Sequence, residues 1–288
     1  MHRRRWFQLL CAGAAIAALV LLAACGSENK KQEVSNTPAA SGTTAATAPE
    51  LKDGVLQVGS DIAYAPIEFF EEGTQNPQGL DIDLANAMAD VLGVRVEFIN
   101  SGFDGIIGAL DVKRFDILMS AMTVTDKRLK QIDFVPYLNA GTDILVAKGN
   151  PKNIKSIEDL SGLTVGVQIA TIQVTQLEDA NTKLKAANKP EIDVLTFDQN
   201  PLAVEQLRNG RADAVIADSP VVSNDARLSD GKLEAVGLNI EAAPYGIGIR
   251  KDSTELKAAI EDALQKLEAN GKYAEILANW GLENGAIK

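Results

Sequence analysis

The stretch Ser120–Tyr137 reads Ser-Ala-Met-Thr-Val-Thr-Asp-Lys-Arg-Leu-Lys-Gln-Ile-Asp-Phe-Val-Pro-Tyr, and the rest of the chain is organised around it. An apolar strand predicted at 115–122 runs into a Thr-Val-Thr turn, and a helix follows in which Arg128 occupies the first turn. A strand end that meets a helix N-terminus offers free backbone N–H groups and the positive end of a dipole. An arginine adds a planar fork that can bind a carboxylate through two hydrogen bonds. We therefore interpret this stretch as a binding site for the acidic end of a small ligand.

Strands and helices alternate along the rest of the chain, and each kind is recognised by its apolar period and its end signals. Strands are predicted at 55–60, 94–99, 115–122, 143–148, 163–167, 194–197, 212–217 and 245–250. Helices are predicted at 81–92, 103–111, 156–161 and 202–208, with one ending at 187, one beginning at Ser219-Pro220, and two at the C-terminus. This alternation indicates βαβ units and a parallel sheet with helices on both faces, arranged in two successive sets.

The first 24 residues have the features of an export signal. Arg3, Arg4 and Arg5 form a positive region, the apolar run 9–22 follows, and small residues precede Cys25. The arrangement resembles a bacterial lipobox, in which Cys25 becomes the acylated first residue of the mature protein. A transmembrane anchor is the alternative, but the run is too short for a comfortable span. Both the general secretory route and the twin-arginine route stay open.

After the signal, residues 25–50 are predicted to form a disordered tether. This segment is rich in Ser, Thr, Ala, Pro and Asn and has no apolar period, so it cannot bury a core. From 51 to 288 the composition is that of a globular protein, and the length suits one large domain or two smaller ones.

Composition excludes several classes of function. Loss of the signal leaves 25 Lys and Arg residues against 39 Asp and Glu residues, a net charge of −14, which disfavours nucleic-acid binding. The mature chain keeps no histidine and only Cys25, so Ser-His-Asp and Cys-His nucleophilic sites are excluded, as are His- or Cys-rich metal sites. We expect no cofactor. The sequence lacks a phosphate-binding loop, so any ATP hydrolysis belongs to a partner.

Several motifs in the folded part resemble the amino-acid-binding proteins of bacterial ABC importers, the extracellular solute-binding protein family 3. The motifs are Tyr64-Ala-Pro-Ile-Glu-Phe69, Gly79-Leu-Asp-Ile-Asp-Leu84, Phe103-Asp-Gly-Ile-Ile107, Met122-Thr-Val-Thr-Asp-Lys-Arg128, Asp133-Phe-Val-Pro-Tyr137, Asp213-Ala-Val-Ile-Ala-Asp218 and Gly271-Lys-Tyr-Ala-Glu275. The resemblance covers nearly everything from Leu51 to Gly281.

The resemblance implies an α/β fold of the two-lobed periplasmic-binding-protein type (type II). Two hinge strands would cross between the lobes, and the ligand cleft would lie between them. Lobe 1 would comprise residues 51–142 and 245–288, and lobe 2 would comprise 143–244. The lobes would close on the ligand like a Venus flytrap.

The resemblance also implies roles for individual residues. Arg128 would bind the α-carboxylate of an L-amino acid, assisted by the hydroxyl of Thr123, and the carbonyl of Ala121 would face the ammonium. Asp218 would pair with the α-ammonium. Ser219-Pro220 is predicted to supply the cap and first position of the next helix, which leaves Asp218 with acceptor capacity. Because the two charged residues would come from different lobes, closure would depend on a complete amino acid.

Asp61, Tyr64 and Phe103 would line the pocket for the ligand's side chain. With Arg128 and Asp218, Asp61 gives the site a net charge of −1, and a zwitterion adds nothing to it. A cationic side chain would neutralise this charge best. We therefore expect arginine, lysine or another polar residue such as glutamine.

The second-lobe loop departs from the family pattern. Where relatives often have Gly-Thr-Thr or Gly-Thr-Gly, this chain has Ala170-Thr171-Ile172, and Gln168 stands where some relatives carry a lysine. Thr171 could still donate to the carboxylate. We expect Ala170 to keep ordinary backbone dihedrals and Ile172 to add bulk.

The leading interpretation is therefore a binding subunit that performs no chemistry and delivers its ligand to a membrane permease with its ATPase. We expect a monomer that is exported and held by lipid at the extracytoplasmic face of the cell membrane. A ligand sensor that signals to a membrane partner is one alternative. A dehydratase-type enzyme on the same scaffold is another, and it would need a carboxylate or lysine as acid or base.

Overall fold

The computed structural model describes residues 48–287, so the predicted export signal and Cys25 lie outside it. The described residues form eleven strands and eight α-helices. The strands are β1 (Val55–Ser60), β2 (Ala63–Tyr64), β3 (Glu68–Phe70), β4 (Pro77–Gln78), β5 (Arg95–Asn100), β6 (Ile117–Leu118), β7 (Asp133–Ala147), β8 (Thr164–Gln168), β9 (Asp193–Phe197), β10 (Ala214–Asp218) and β11 (Leu233–Ile249). The α-helices are α1 (Leu80–Leu92), α2 (Ile106–Asp111), α3 (Asp126–Leu129), α4 (Ile172–Ala186), α5 (Asn200–Arg208), α6 (Ser219–Arg227), α7 (Thr254–Ala269) and α8 (Lys272–Trp280).

Eight strands form one mixed sheet in the order β5-β1-β6-β11-β7-β10-β8-β9. On one side, β1 runs parallel to β5 and β6. On the other, β8 runs parallel to β9 and β10. A small antiparallel sheet of β2, β3 and β4 lies against α1. The two parallel sets are the two β/α groups that the sequence pattern predicts.

Two long antiparallel strands, β7 and β11, join the two parallel sets. They pair with each other from Leu233 opposite Ala147 to Ile249 opposite Asp133. The end of β11 also pairs with β6, and the second half of β7 pairs with β10. Each strand therefore has one end in each half of the molecule, which is the crossing arrangement of a two-lobed type II fold.

Each half of the molecule has its own hydrophobic core. On the first side, residues such as Leu56, Leu84 and Ile260 are fully buried between the sheet and helices α1 and α7. On the second side, Val165 and Leu177 are fully buried between β8 and α4. We propose lobe boundaries at 142/143 and 244/245 on this basis, although Val221 of α6 packs with the first core.

The strand predictions at the crossing were wrong in length. The strand predicted at 115–122 is regular only at Ile117–Leu118, because Ala121 adopts a left-handed φ of 45° and interrupts it. The chain bonds to β11 again at Met122 and Val124. The strands predicted at 143–148 and 245–250 extend far toward their N-termini. Pro136 and Pro244 lie inside them, and proline usually marks a strand's end.

The predicted tether ends earlier than Glu50. Ala48 is buried, and a short 3₁₀ turn spans Pro49–Leu51. Glu50 forms an ion pair of 3.3 Å with Arg250 and accepts a hydrogen bond from Ser253. Residues 48–50 thus belong to the folded body, because Glu50 contacts Arg250 and Ser253, which lie just before α7. No described helix has the length and apolar character needed to cross a membrane.

Candidate ligand-binding site

A cavity lies between the two sets of strands, at the carboxyl ends of β1, β6, β8 and β10. The nine residues predicted for the site all line it: Asp61, Tyr64, Phe103, Ala121, Thr123, Arg128, Gln168, Thr171 and Asp218. Parallel strands in α/β sheets commonly place ligand sites at this edge. These residues are far apart in sequence. They meet at the cavity because β7 and β11 pair with each other and bring the two sets of strands together.

Arg128 is buried in the short helix α3, with 8% of its surface exposed. The side chain of Thr125 caps the helix by accepting from the Arg128 N–H at 3.2 Å. The guanidinium donates to the carbonyl of Thr123 at 2.7 Å and to the carbonyl of Ala170, in the other half, at 3.1 Å. It also lies 5.5 Å from the centre of the Phe103 ring, a cation–π distance. These bonds leave part of its donor capacity for a carboxylate.

Asp218 ends β10 on the opposite side of the cavity and is 6% exposed. Its Oδ1 accepts from Gln173 at 2.7 Å, and its Oδ2 accepts from the hydroxyl of Tyr64 at 3.1 Å. Burial raises the pKa of Asp218, while these hydrogen bonds act in the opposite direction. The predicted cap was wrong by one residue: Asp218 itself holds the N-cap position, and Ser219 and Pro220 are already helical. The Asp218 carboxylate makes no capping hydrogen bond, although Asp218 is the N-cap residue. Its two oxygens bond to Gln173 and Tyr64 at the cavity instead.

Asp61 follows β1 and is joined across the cavity to Gln168. The amide of Gln168 donates to Asp61 Oδ2 at 2.7 Å and to the carbonyl of Asp198 at 3.1 Å. The backbone N–H of Asp61 donates to Ser120 at 3.0 Å. Burial raises the pKa of Asp61 to about 6, so its carboxylate is largely ionised at neutral pH.

The loop after β8 has an unexpected backbone. Ala170 adopts a φ of 63°, in the left-handed region, so the prediction of ordinary dihedrals was wrong. This conformation turns the Ala170 carbonyl to a position where Arg128 donates to it. The Thr171 hydroxyl donates to the carbonyl of Gln168 at 2.8 Å, which closes the loop on itself.

Sequence reasoning missed three polar residues of the cavity, Glu68, Ser120 and Gln173. Glu68 lies inside the motif Tyr64–Phe69, and Ser120 begins the stretch Ser120–Tyr137. The sequence position of each could therefore have identified it as a residue of the cavity. Gln173 is 1% exposed in the first turn of α4 and donates to Thr142 on β7 at 3.0 Å as well as to Asp218. A single glutamine in an otherwise ordinary helix pattern gives no such signal.

Negative charge dominates the cavity. Among the described residues that line it, Arg128 is the sole basic one, whereas Asp61, Glu68 and Asp218 are acidic. Asp81 lies behind Glu68 and raises the pKa of that carboxyl group further, beyond the effect of burial. The described residues contain no cluster of three or more His, Cys, Asp and Glu side chains that could hold a metal ion.

Comparison with known proteins gives the context of this geometry. Residues 56–283 match the model of the bacterial extracellular solute-binding proteins, family 3. The chain belongs to this family. The match spans both halves of the described structure and every residue that lines the cavity.

Relatives within the family are named for different amino acids. The L-cystine-binding protein TcyJ of Escherichia coli K12 is 30% identical over 79% of this chain and 82% of its own length. The arginine-binding protein ArgT of Corynebacterium glutamicum is 34% identical over 81% of this chain and 76% of its own length. The structure of an ancestral arginine-binding protein bound to arginine is 38% identical, with a TM-score of 0.73, covering 79% of this chain and 98% of that one. These relatives are binding proteins for amino acids.

Proposed function

We propose that this protein is the substrate-binding subunit of an ABC importer, and that it captures a basic L-amino acid between its lobes. The observation that carries the proposal is the placement of Arg128 and Asp218. They bear opposite charges, come from different halves of the sheet and line one buried cavity. An α-amino acid carries the complementary pair of charges a short distance apart.

In this proposal the two lobes hold opposite ends of the ligand's backbone. Arg128 binds the α-carboxylate through its fork, and the hydroxyl of Thr123 assists. The Thr171 hydroxyl, which the sequence suggested as a further donor, is already bonded to the carbonyl of Gln168. Asp218 binds the α-ammonium from lobe 2, and the carbonyl of Ala121 accepts from the same ammonium from lobe 1. A ligand that lacks the ammonium contacts only lobe 1, and one that lacks the carboxylate loses its bond to Arg128, so each gives less free energy to closure.

The charge of the cavity favours a cationic side chain. The carboxylates of Asp61 and Asp218 face a single guanidinium, and a ligand with a second carboxylate would meet no further cation among the described lining residues. The amide of Gln168 leaves the charge of Asp61 uncompensated, where a lysine would neutralise it. Phe103 and Tyr64 add aromatic walls that suit a long aliphatic stem. We place L-arginine first, then L-lysine, with glutamine as a weaker ligand.

The protein's place in the cell follows the same proposal. Cys25 is acylated after export, and residues 26–47 tether the folded body to the extracytoplasmic face of the membrane. The body works as a monomer and presents the closed, loaded form to a permease whose ATPase supplies the energy. Lobe 1 comprises 48–142 and 245–288, and lobe 2 comprises 143–244.

Calorimetric titration of the mature chain from residue 25, produced without the signal and with Cys25→Ser, against the twenty L-amino acids and L-cystine tests this function. We expect micromolar or tighter binding of L-arginine, weaker binding of neutral polar amino acids and no heat with L-glutamate. Absence of heat with every amino acid would refute the amino-acid reading. Turnover of a carboxylated ring compound in the same samples would instead support the dehydratase alternative.

A further inference from the structure

Two carboxyl groups, those of Glu68 and Asp81, are buried side by side at one wall of the cavity. Glu68 in β3 lines the cavity, and Asp81 in the first turn of α1 lies behind it. Each residue is only 1% exposed. The function proposed above gives this pair no role.

The hydrogen-bond donors around the pair are divided unequally. Asp81 Oδ2 accepts from the hydroxyl of Tyr137 at 2.9 Å and from the backbone N–H of Ala121 at 3.1 Å. Glu68 Oε1 accepts from the hydroxyl of Ser120 at 3.0 Å. The other two oxygens, Glu68 Oε2 and Asp81 Oδ1, are buried and have no donor within the described part of the chain.

A proton between the two carboxyl groups resolves this arrangement. A carboxylate only accepts, so two ionised groups would leave both inner oxygens unpaired and would repel each other. If Glu68 is protonated, it donates to Asp81, and every acceptor of the pair then has a partner. Asp81 is the better carboxylate because it already receives two donors.

We propose that Glu68 and Asp81 share one proton and that this protonated pair is the positioning element for the ammonium end of the ligand. The inference rests on the proposed function. The pair acts through Ser120 and Ala121, which it holds from both sides. Asp81 fixes the N–H of Ala121, whose left-handed backbone sets the direction of its carbonyl. Glu68 fixes Ser120, which in turn accepts from the N–H of Asp61.

The surrounding groups favour retention of the proton near neutral pH. Burial raises the pKa of Glu68 well above its ordinary value, and Asp81 and Asp61 raise it further. Burial also raises the pKa of Asp81 to about 7. Tyr64 and Tyr137 stay neutral, since burial raises the pKa of each phenol.

The remaining charged groups on the cavity are Arg128 on α3 and Asp218 on β10. Because the pKa values of the pair are raised in the folded state, its contribution to stability is complete at acidic pH. It is lost as pH rises from the ordinary carboxyl values through the raised ones, which for Asp81 means through about 7. Binding that depends on the pair should decline over the same range.

The pH dependence of L-arginine binding tests the proposal in the Cys25→Ser protein. We expect the affinity to fall at least ~10-fold as pH rises through the raised pKa values of the pair, below the range in which the ligand's own α-ammonium loses its proton, because loss of the shared proton places two like charges together. Glu68→Gln imitates the protonated acid, donating to Asp81 and accepting from Ser120, so it should lack this fall. Glu68→Ala removes the donor and should weaken binding throughout. The exposed Glu72→Gln is the matched control and should follow the parent protein. The same fall with rising pH in Glu68→Gln as in the parent would overturn the proposal.

A measurement without ligand separates this inference from the proposed function. Infrared difference spectra between the parent protein and Glu68→Gln at neutral pH should show the carbonyl band of a protonated carboxylic acid in the parent. Its presence in a protein that binds no amino acid would uphold the shared proton and refute only the proposed function. Its absence would refute the shared proton, whatever the protein binds.

Discussion

Among single residues, Arg128 is the side chain on which the ligand's orientation depends in the proposed function. Two carbonyls and the Phe103 ring already hold its guanidinium in place, so little freedom remains to be lost on binding. Burial lowers the pKa of Arg128, but the guanidinium stays protonated because its ordinary value is so high. The charge is therefore preorganised for a carboxylate.

Replacing Arg128 should affect only ligands that carry a carboxylate. Arg128→Ala should weaken L-arginine by about 2 to 5 kcal/mol, since it leaves the ligand's carboxylate unpaired in a buried site. Agmatine, which is arginine without its carboxylate, should lose no affinity in the variant, because it has no group that needs Arg128. Arg128→Lys keeps the charge but not the fork, so its affinity for L-arginine should lie between those of the parent and Arg128→Ala.

The matched control removes the residue proposed to bind the other end of the ligand, its α-ammonium. Asp218→Asn should weaken L-arginine but not its analogue without the α-amino group. Calorimetry on both variants with both analogues measures the pairing directly. Equal losses for arginine and agmatine in Arg128→Ala would contradict the assigned orientation.

The placement of Arg128 and Asp218 at the cavity could be predicted from sequence, but the contacts around them could not. Arg128 and Asp218 lie at a helix start and a strand end, which are positions that local pattern reveals. The Gln173 bond to Asp218 and the burial of Glu68 against Asp81 depend on how distant elements meet. No local pattern specifies such contacts between helix and sheet.

At the scale of elements, the loop between β8 and α4 holds the least expected conformation. A left-handed alanine costs free energy because its Cβ approaches the following carbonyl. Here Ala170 accepts that cost while its carbonyl receives the Arg128 bond across the cavity. The relatives' glycine pattern at this loop would avoid it.

Ala170→Gly should therefore stabilise the protein by about 1 kcal/mol, since glycine adopts this φ without the steric penalty. Chemical denaturation followed by circular dichroism measures the change. Ala186→Gly, in the exposed last turn of α4, is the control and should destabilise by about 0.5 to 1 kcal/mol. Destabilisation by both substitutions to the same extent would show that Ala170 carries no backbone cost.

Prediction of the strands from sequence fails at β7 and β11. The alternation of strands and helices predicted both β/α sets, because each buries a regular apolar face. The long strands β7 and β11 were cut short, since Pro136 and Pro244 resemble end signals. Their continuation depends on pairing between strands about a hundred residues apart in sequence, as Leu233 opposite Ala147 illustrates. Local strand propensity does not predict pairing between such distant strands.

At the scale of the whole molecule, the two halves have separate cores and share β7 and β11. Such an arrangement lets each lobe move as a body while the crossing strands absorb the change. Direct hydrogen bonds already join the lobes at the cavity, between Arg128 and Ala170 and between Gln168 and Asp61. The groups proposed to bind the ligand are therefore also the ones through which the lobes meet.

The central claim is that only a complete amino acid, held by Arg128 on one lobe and Asp218 on the other, fully closes the cleft. Small-angle X-ray scattering of the Cys25→Ser protein, titrated with L-arginine and with its analogue that lacks the α-amino group, tests it most directly. We predict that L-arginine lowers the radius of gyration to a plateau and that the analogue at equal concentrations does not, because the analogue has no group for Asp218. Closure by the analogue to the same extent, or no change with L-arginine, would contradict the account.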